Sequence, residues 1–182
     1  MRWHDVYSGN QHISIVVFAG HDSSLLTGEH GQHFINSHTG MMYATIGGGF
    51  VEGIGFRYNK DLTELTGLPT AGMRLEGGFN RPYDVDFEIK NDWRDLETHC
   101  ASTISSLFEK VGCYNDNYSK NVAYGVIPGA DSRYYNSSSF SHGLLLAAGI
   151  PVPHFSNTDF VVGKENKSFP GWNKDLPLHV FR

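Results

Sequence analysis

The stretch Tyr135-Asn136-Ser137-Ser138-Ser139-Phe140-Ser141-His142-Gly143-Leu144-Leu145 decides how this chain is read. Small hydroxyl residues gather at its start, and apolar residues follow at helical spacing. Phe140, Leu144, Ala147 and Ala148 fall on one face, Gly149 closes the segment, and Pro151 and Pro153 block any continuation. The pattern predicts an amphipathic helix from about Ser137 to Ala148. Asn136 or Ser137 is its natural cap, because a short polar side chain accepts from the free N–H groups of the first turn, worth about 1 kcal/mol. One cap accounts for one side chain, not for three consecutive serines. A nucleophile at the helix N-terminus accounts for more of them, since backbone N–H groups there can hold a developing oxyanion.

Upstream, a second amphipathic helix is predicted. Asp92 can cap it, Trp93, Leu96, Cys100, Ile104, Leu107, Phe108 and Val111 recur every three or four residues, and Gly112 ends it. Residues 12–19, His-Ile-Ser-Ile-Val-Val-Phe-Ala, read as a buried strand. Residues 33–37 and 41–46 read as the next strands, with a polar loop over 20–32 and a break at Gly47-Gly48-Gly49. Residues 50–82 read as irregular and glycine-rich, with one short helix around Asp61 to Thr66. Residues 83–89, Tyr-Asp-Val-Asp-Phe-Glu-Ile, alternate as a half-buried strand does. The tail adds a short apolar run, Phe160-Val161-Val162, and a turn at Pro170-Gly171. With no internal repeat and no linker, residues 1–182 read as a single α+β domain, an antiparallel sheet packed against helices.

Composition narrows the function. A chain of 182 residues, 40% hydrophobic and only 18% charged, can bury one full core and is neither a disordered tail nor a coiled coil. The net charge of −5 and the lack of any Lys/Arg run argue against nucleic-acid binding. The apolar stretch from Leu144 to Ile150 is far below the ~20 residues of a membrane span. The start, Met1-Arg2-Trp3-His4-Asp5, shows no secretory signal. Two cysteines, Cys100 and Cys113, do not make a disulfide framework. No His-Glu-x-x-His or Cys-x-x-Cys occurs, so neither a metal nor another cofactor is expected. Cys100, on the apolar stripe and two turns inside the predicted helix, reads as a small buried hydrophobe; a nucleophilic thiolate needs a helix N-terminus or a basic neighbour. Cys113 lies just past the expected helix end, and Asp84, Asp86 and Glu88 read as a solvated strand face.

Asn136-Ser137-x-x-Phe140, followed by a helix ending Ala-Ala-Gly, resembles the Asn-Cys-x-x-Phe segment of circularly permuted papain-like hydrolases. These include the permuted NlpC/P60-like and lecithin:retinol acyltransferase-like groups. In them a strand His precedes a nucleophile at the start of a later helix, and His12 looks like that His. The chain is also similar to bacterial toxin-type domains carrying Asn-Ser-Asn-Ser-Phe and a late Pro-Gly-Trp, matched by Pro170-Gly171-Trp172. The closest match runs from Tyr134 to Trp172. The resemblance implies His12 as general base and Ser137 as nucleophile, with Asn136 and Ser138 supporting an oxyanion hole. Ser137 stands where the family has Cys, so its hydroxyl would depend on His12 within hydrogen-bond reach; Cys100, reaching the same cleft from the earlier helix, is the alternative nucleophile. If 12–19 and 33–38 form a hairpin, one register sets His38 beside His12 as its orienting partner. The implied activity is amide cleavage in peptidoglycan peptide by an antibacterial effector, of the kind delivered by type VI secretion. Such a protein is made in the cytoplasm, leaves without a cleavable signal and acts in a target periplasm, with an immunity protein and a secretion-machine carrier as partners. A non-catalytic binding domain and a lipid acyl hydrolase are the rival readings.

Overall fold

The structure is a computed structural model that describes residues 2–7, 10–37, 39–51, 74–81, 99–125, 133–152 and 171–182. Among them, seven strands form one sheet: β1 (Arg2–Tyr7), β2 (Asn10–Phe18), β3 (Ile35–Asn36), β4 (Met42–Val51), β5 (Arg74–Phe79), β6 (Ala123–Tyr124) and β7 (Tyr134–Tyr135). The order is β1-β2-β4-β5-β6-β7, with β3 on β4. Among the described residues three α-helices accompany them: α1 (Ser23–Thr27), α2 (Ala101–Asn117) and α3 (Ser137–Ala147). The fold class is therefore α+β, but the sheet is mixed rather than antiparallel. The pair β6–β7 runs parallel, Ala123 opposite Tyr134 and Tyr124 opposite Tyr135, which requires a crossover between them rather than a hairpin.

The register corrects the expected hairpin. β2 is flanked by β1, with His4 opposite His12, and by β4, with Ser14 opposite Gly47. The two-residue β3 pairs with β4 instead. Both edges of β2 are thus occupied by longer strands, and nothing pairs it with the 33–38 segment; His38 itself lies outside the described residues. β4 also runs straight through Gly47-Gly48-Gly49, where the sequence suggested a break, and β5 occupies 74–79, read as irregular. The reason is close approach by a helix. Gly48 pairs with Gly77, and a Cβ at either would lie 2.6 Å from Phe140 Cβ or 2.5 Å from Phe140 Cζ. The glycines form a slot in the sheet that Phe140 of α3 fills.

Ile13, Ile15 and Val17 of β2, Ala44 and Ile46 of β4, and Leu75 of β5 are all buried in one core with Phe140, Leu144 and Leu145 of α3 and with Leu107, Phe108, Val111 and Tyr114 of α2. α2 is tied to β5 by polar bonds as well: Tyr114 Oη donates to Leu75 O at 2.8 Å, and the Asn115 amide bonds both Gly77 O (2.9 Å) and Gly77 N (3.0 Å). These anchors carry the helix through Gly112, an exposed glycine that does not end it; Cys113 sits inside the helix and not beyond it. The expected N-terminal half of this helix, from Asp92, lies outside the described residues. So do the expected strand at 83–89, the short helix at 61–66 and the apolar run at 160–162. Residues 99 and 100 are not helical, and α2 starts at Ala101. The polar loop expected over 20–32 contains α1, because Asp22 accepts from Ser24 N at 3.0 Å and caps it. The segment 171–182 closes the core with Trp172, Leu176, Val180 and Phe181, the last lying between Tyr114 (5.6 Å) and Phe140 (5.8 Å), centroid to centroid.

Candidate active site

α3 starts where the hydroxyl cluster predicts. Asn136 is the cap, its Oδ1 accepting from Ser139 N (3.1 Å) and Ser139 Oγ (3.3 Å), while Phe140 N donates to Asn136 O at 3.0 Å. Ser139 Oγ also reaches Gly171 O at 2.9 Å. The cap thus serves the third and fourth residues of the helix. Among the described residues no backbone acceptor meets the Ser137 or Ser138 N–H. Both side chains are buried, Ser137 at 4% and Ser138 at 0% exposure, and Ser138 Oγ has no hydrogen-bond partner.

The strand of His12 and the helix of Ser137 are neighbours. Ser141, one turn past Ser137, donates through Oγ to Ile13 O at 3.2 Å. The two side chains are nevertheless placed differently. Gly48 faces Phe140, so its neighbour Gly47 faces away from α3, and Ser14, paired with Gly47, does the same. Alternation along β2 puts the buried His12 with Ser14 on that far face, while Ile13 and Ile15 lie under the helix. The sequence thus brings helix and strand together without setting imidazole and hydroxyl on one side of the sheet.

Cys100 is where the structure departs furthest from the sequence reading. It is exposed, and it is the N-cap residue of α2 rather than part of a buried stripe. Its Sγ lies 3.1 Å from Ser102 Oγ and 3.3 Å from Thr103 Oγ1. These hydroxyls, Ser102 first, and then the backbone N–H groups of Thr103 and Ser102, bring the thiol down to about 7. The N-terminal end of the helix dipole acts in the same sense. Serine and threonine at positions two and three after a cysteine were visible in the sequence. Their meaning was not, because the apolar periodicity extended the helix past its actual start. α2 runs antiparallel to β5, with Tyr114 at Leu75 and Phe108 near Phe79. Its N-terminus therefore projects about 12 Å beyond Phe108, away from the end of the sheet where His12 sits. His12 is not the partner of this thiol. His99 precedes Cys100 directly, and its Nε2 is buried with no hydrogen-bond partner.

Two further features were missed. His142 Nδ1 hydrogen-bonds Asp175 Oδ1, and its ring packs on Trp172 at 4.7 Å. This fixes the imidazole against the 171–176 segment, 33 residues on, beyond the reach of any local pattern. His30, His33, Phe79 and Phe108 stack as near-parallel rings, His33 only 3.9 Å from Phe79. Burial first, and then neighbouring His30, lower the pKa of His33. Among the described residues no group of three or more His, Cys, Asp or Glu is placed to hold a metal ion, and no helix is long and apolar enough to cross a membrane. Compared with known proteins, the chain matches no family model, no curated protein and no solved structure.

Proposed function

We propose that this chain is a hydrolase in which Cys100 is the nucleophile, cleaving an amide bond of a peptidoglycan peptide as a bacterial effector acting in a target periplasm. The observation that carries the reading is the exposed Cys100 thiol at the N-cap of α2, ringed by donors that favour its thiolate. A thiolate is the competent form of the nucleophile, and near neutral pH a large fraction of this one is ionised. The substrate and the setting rest on the sequence resemblance, whose motif lies at the start of α3 and sets its cysteine at Ser137; Cys100, on the earlier helix α2, is the alternative nucleophile. The fold reading that goes with it is a permuted papain-like domain.

In this scheme the thiolate adds to the substrate carbonyl carbon, forming a C–S bond. The C–N bond then breaks, and the amine leaves with a proton delivered by a general acid, for which His99, next to Cys100 in the chain, is the candidate. Water attacks the thioester, gives up a proton to the same group, releases the carboxylic acid and restores the thiolate. The Ala101 and Ser102 N–H groups of the first turn are the donors closest to the developing oxyanion.

A second reading keeps Ser137 as nucleophile, favoured by the two amides at the start of α3 that meet no backbone acceptor among the described residues. Its hydroxyl is buried and His12 faces away from the helix, so the Cys100 reading is preferred. The test is purified protein on sacculi and, in parallel, on phospholipid vesicles, with Cys100→Ala, His99→Ala, Ser137→Ala and His12→Ala. Release of free amino groups from sacculi, lost in Cys100→Ala and kept in Ser137→Ala, is the expected result. The reverse pattern moves the activity to α3. Fatty acid released from vesicles identifies a lipid acyl hydrolase, and no turnover by folded protein leaves the non-catalytic binding domain.

A further inference from the structure

Where the turn at 30–33 meets β5 and α2, four rings lie nearly parallel. His33 stacks on Phe79 (3.9 Å), Phe79 on Phe108 (5.3 Å) and His30 on Phe108 (5.2 Å). The two imidazoles are 6.0 Å apart. The backbone is held at the same place: Asn80 Nδ2 donates to His33 O at 2.6 Å. Asn80 sits at φ 48°, a conformation rare outside glycine that persists only where surrounding contacts enforce it. The side-chain contact of His33 depends on protonation. Its Nε2 lies 3.3 Å from Gln32 Nε2. An amide nitrogen can only donate, so the ring nitrogen must accept, which a neutral imidazole can do and an imidazolium cannot.

The surroundings offer these rings no opposite charge. Among the described residues neither imidazole forms an ion pair, and His30 Nε2 is buried without a hydrogen-bond partner. On β5, Leu75, Gly77 and Phe79 face the helices, so Arg74 and Glu76 face the other way; Arg81 lies over Gly78 on that same side and pairs with Glu76 at 3.9 Å. On α2, Glu109 and Lys110 project about 100° and 200° round the helix from Phe108, and Glu109 is exposed. His21, Asp22 and Glu29, which flank α1, are exposed, and Asp22 accepts from Ser24 N. β3 and β4 bring Tyr43 as their one titratable group.

We propose that this stack is an acid-opened clasp: neutral His30 and His33 close the turn at 28–33 onto Phe79 and Phe108, and their protonation releases the turn while the sheet and α3 stay folded. A proton on His33 turns the Gln32 contact from attraction to repulsion, and a second on His30 sets two like charges 6.0 Å apart. Burial first, and then His30, already lower the pKa of His33. The clasp is therefore shut above the ordinary imidazole value near 6.5 and opens as pH falls below it. The opening is local. The bonds Gly31 N to Gly28 O, His33 N to His30 O and Phe34 N to Gly31 O lie within the segment, and Ile35 is already paired with Tyr43 in the sheet. Release uncovers ring faces of Phe79 and Phe108. The clasp does not depend on the chemistry assigned to Cys100.

The test is amide hydrogen exchange of the full chain, read by NMR between about pH 7.5 and about pH 5, with each rate divided by the intrinsic rate at that pH. The expected result is a severalfold loss of protection at Gly31, His33 and Phe34 toward the acid end, in step with the ring resonances of His33, while Ile46 of β4 and Leu144 of α3 keep theirs. His30→Phe and His33→Phe each leave a ring in the stack that takes no proton, so each reduces the loss and the double variant abolishes it. His33→Asn gives up the ring and leaves the turn open at both ends of the range, which separates stacking from charge. The proposal is overturned if protection of the turn does not change with pH, or if the sheet and α3 lose protection together with it. It is overturned equally if the double variant opens as wild type does or, where that variant does not fold, if both single variants do.

Discussion

Removing the hydroxyls around Cys100 tests the chemistry assigned to α2 without any substrate. A thiol at about 7 is about half ionised at pH 7, against roughly 3% for an ordinary thiol near 8.5. Lower basicity also reduces intrinsic nucleophilicity, with a Brønsted slope of about 0.4–0.5, so a fall of ~1.5 units costs a factor of about 4–6 per thiolate. The ~16-fold gain in thiolate and this loss leave Cys100 about three- to fourfold faster than glutathione at pH 7. The shape of the curve is more telling than the rate. Alkylation of Cys100 by iodoacetamide levels off by about pH 8.5, whereas an ordinary thiol is still climbing there. The assay is mass-spectrometric alkylation against pH in a Cys113→Ser background. Ser102→Ala raises the midpoint, Thr103→Ala raises it less, and the double variant raises it most, in the order of their contributions. A midpoint in the ordinary thiol range, or one that neither substitution moves, refutes the reasoning and removes the main support for Cys100 as nucleophile.

Three other outcomes are expected. Gly77→Ala puts a methyl 2.5 Å from Phe140 Cζ and destabilises by about 1–3 kcal/mol in urea unfolding, and Phe140→Leu in the same chain, which removes that ring edge, recovers part of the loss; additive effects would deny the slot. Asn136→Ala removes the acceptor for Ser139 N and costs about 1–2 kcal/mol, while Asn136→Asp stays close to wild type; equal losses would show that the cap is not the cause. The pKa of His33 is lowered in the folded chain, so its unfolded form takes up a proton first as pH falls. Its contribution to stability is complete above the ordinary value near 6.5 and is lost as pH drops from there toward the folded pKa. The melting temperature of wild type should therefore fall more steeply between pH 7 and 5 than that of His33→Phe, and parallel curves would exclude the stack as the acid-sensitive element.

α3 was legible because three local signals agree there. Hydroxyl residues mark its cap, Phe140 and Leu144 mark its face, and Gly149 takes the positive φ of 72° that closes it. β2 was legible from its β-branched run. The glycines of β4 and β5 misled because a breaker and a slot look alike in one dimension, and only Phe140, some 90 residues away from Gly48, tells them apart. Cys100 misled for a related reason. Apolar periodicity continued across it from Trp93 to Val111, whereas the capping signal of Ser102 and Thr103 depends on knowing where the first turn lies. His12 was found as a strand residue, but which face it takes depends on the pairing of Ser14 with Gly47, and register is long-range information. Asp175, held to His142, had no local signal at all.

The place of Phe181 in the core bears on how the chain matures on the ribosome. Chains emerge N-terminus first at about 5–20 residues per second, and structure can form as they do. β1 to β5 are complete once residue 79 has been made. Their helix-facing surface, however, is covered by α2, α3 and, last of all, Val180 and Phe181, which are 4% and 1% exposed. The ring that fits between Tyr114 and Phe140 leaves the exit tunnel well after β5. The nascent sheet therefore waits with an open apolar side from residue 79 until residue 181 is made, a window in which chaperones and proteases compete for it.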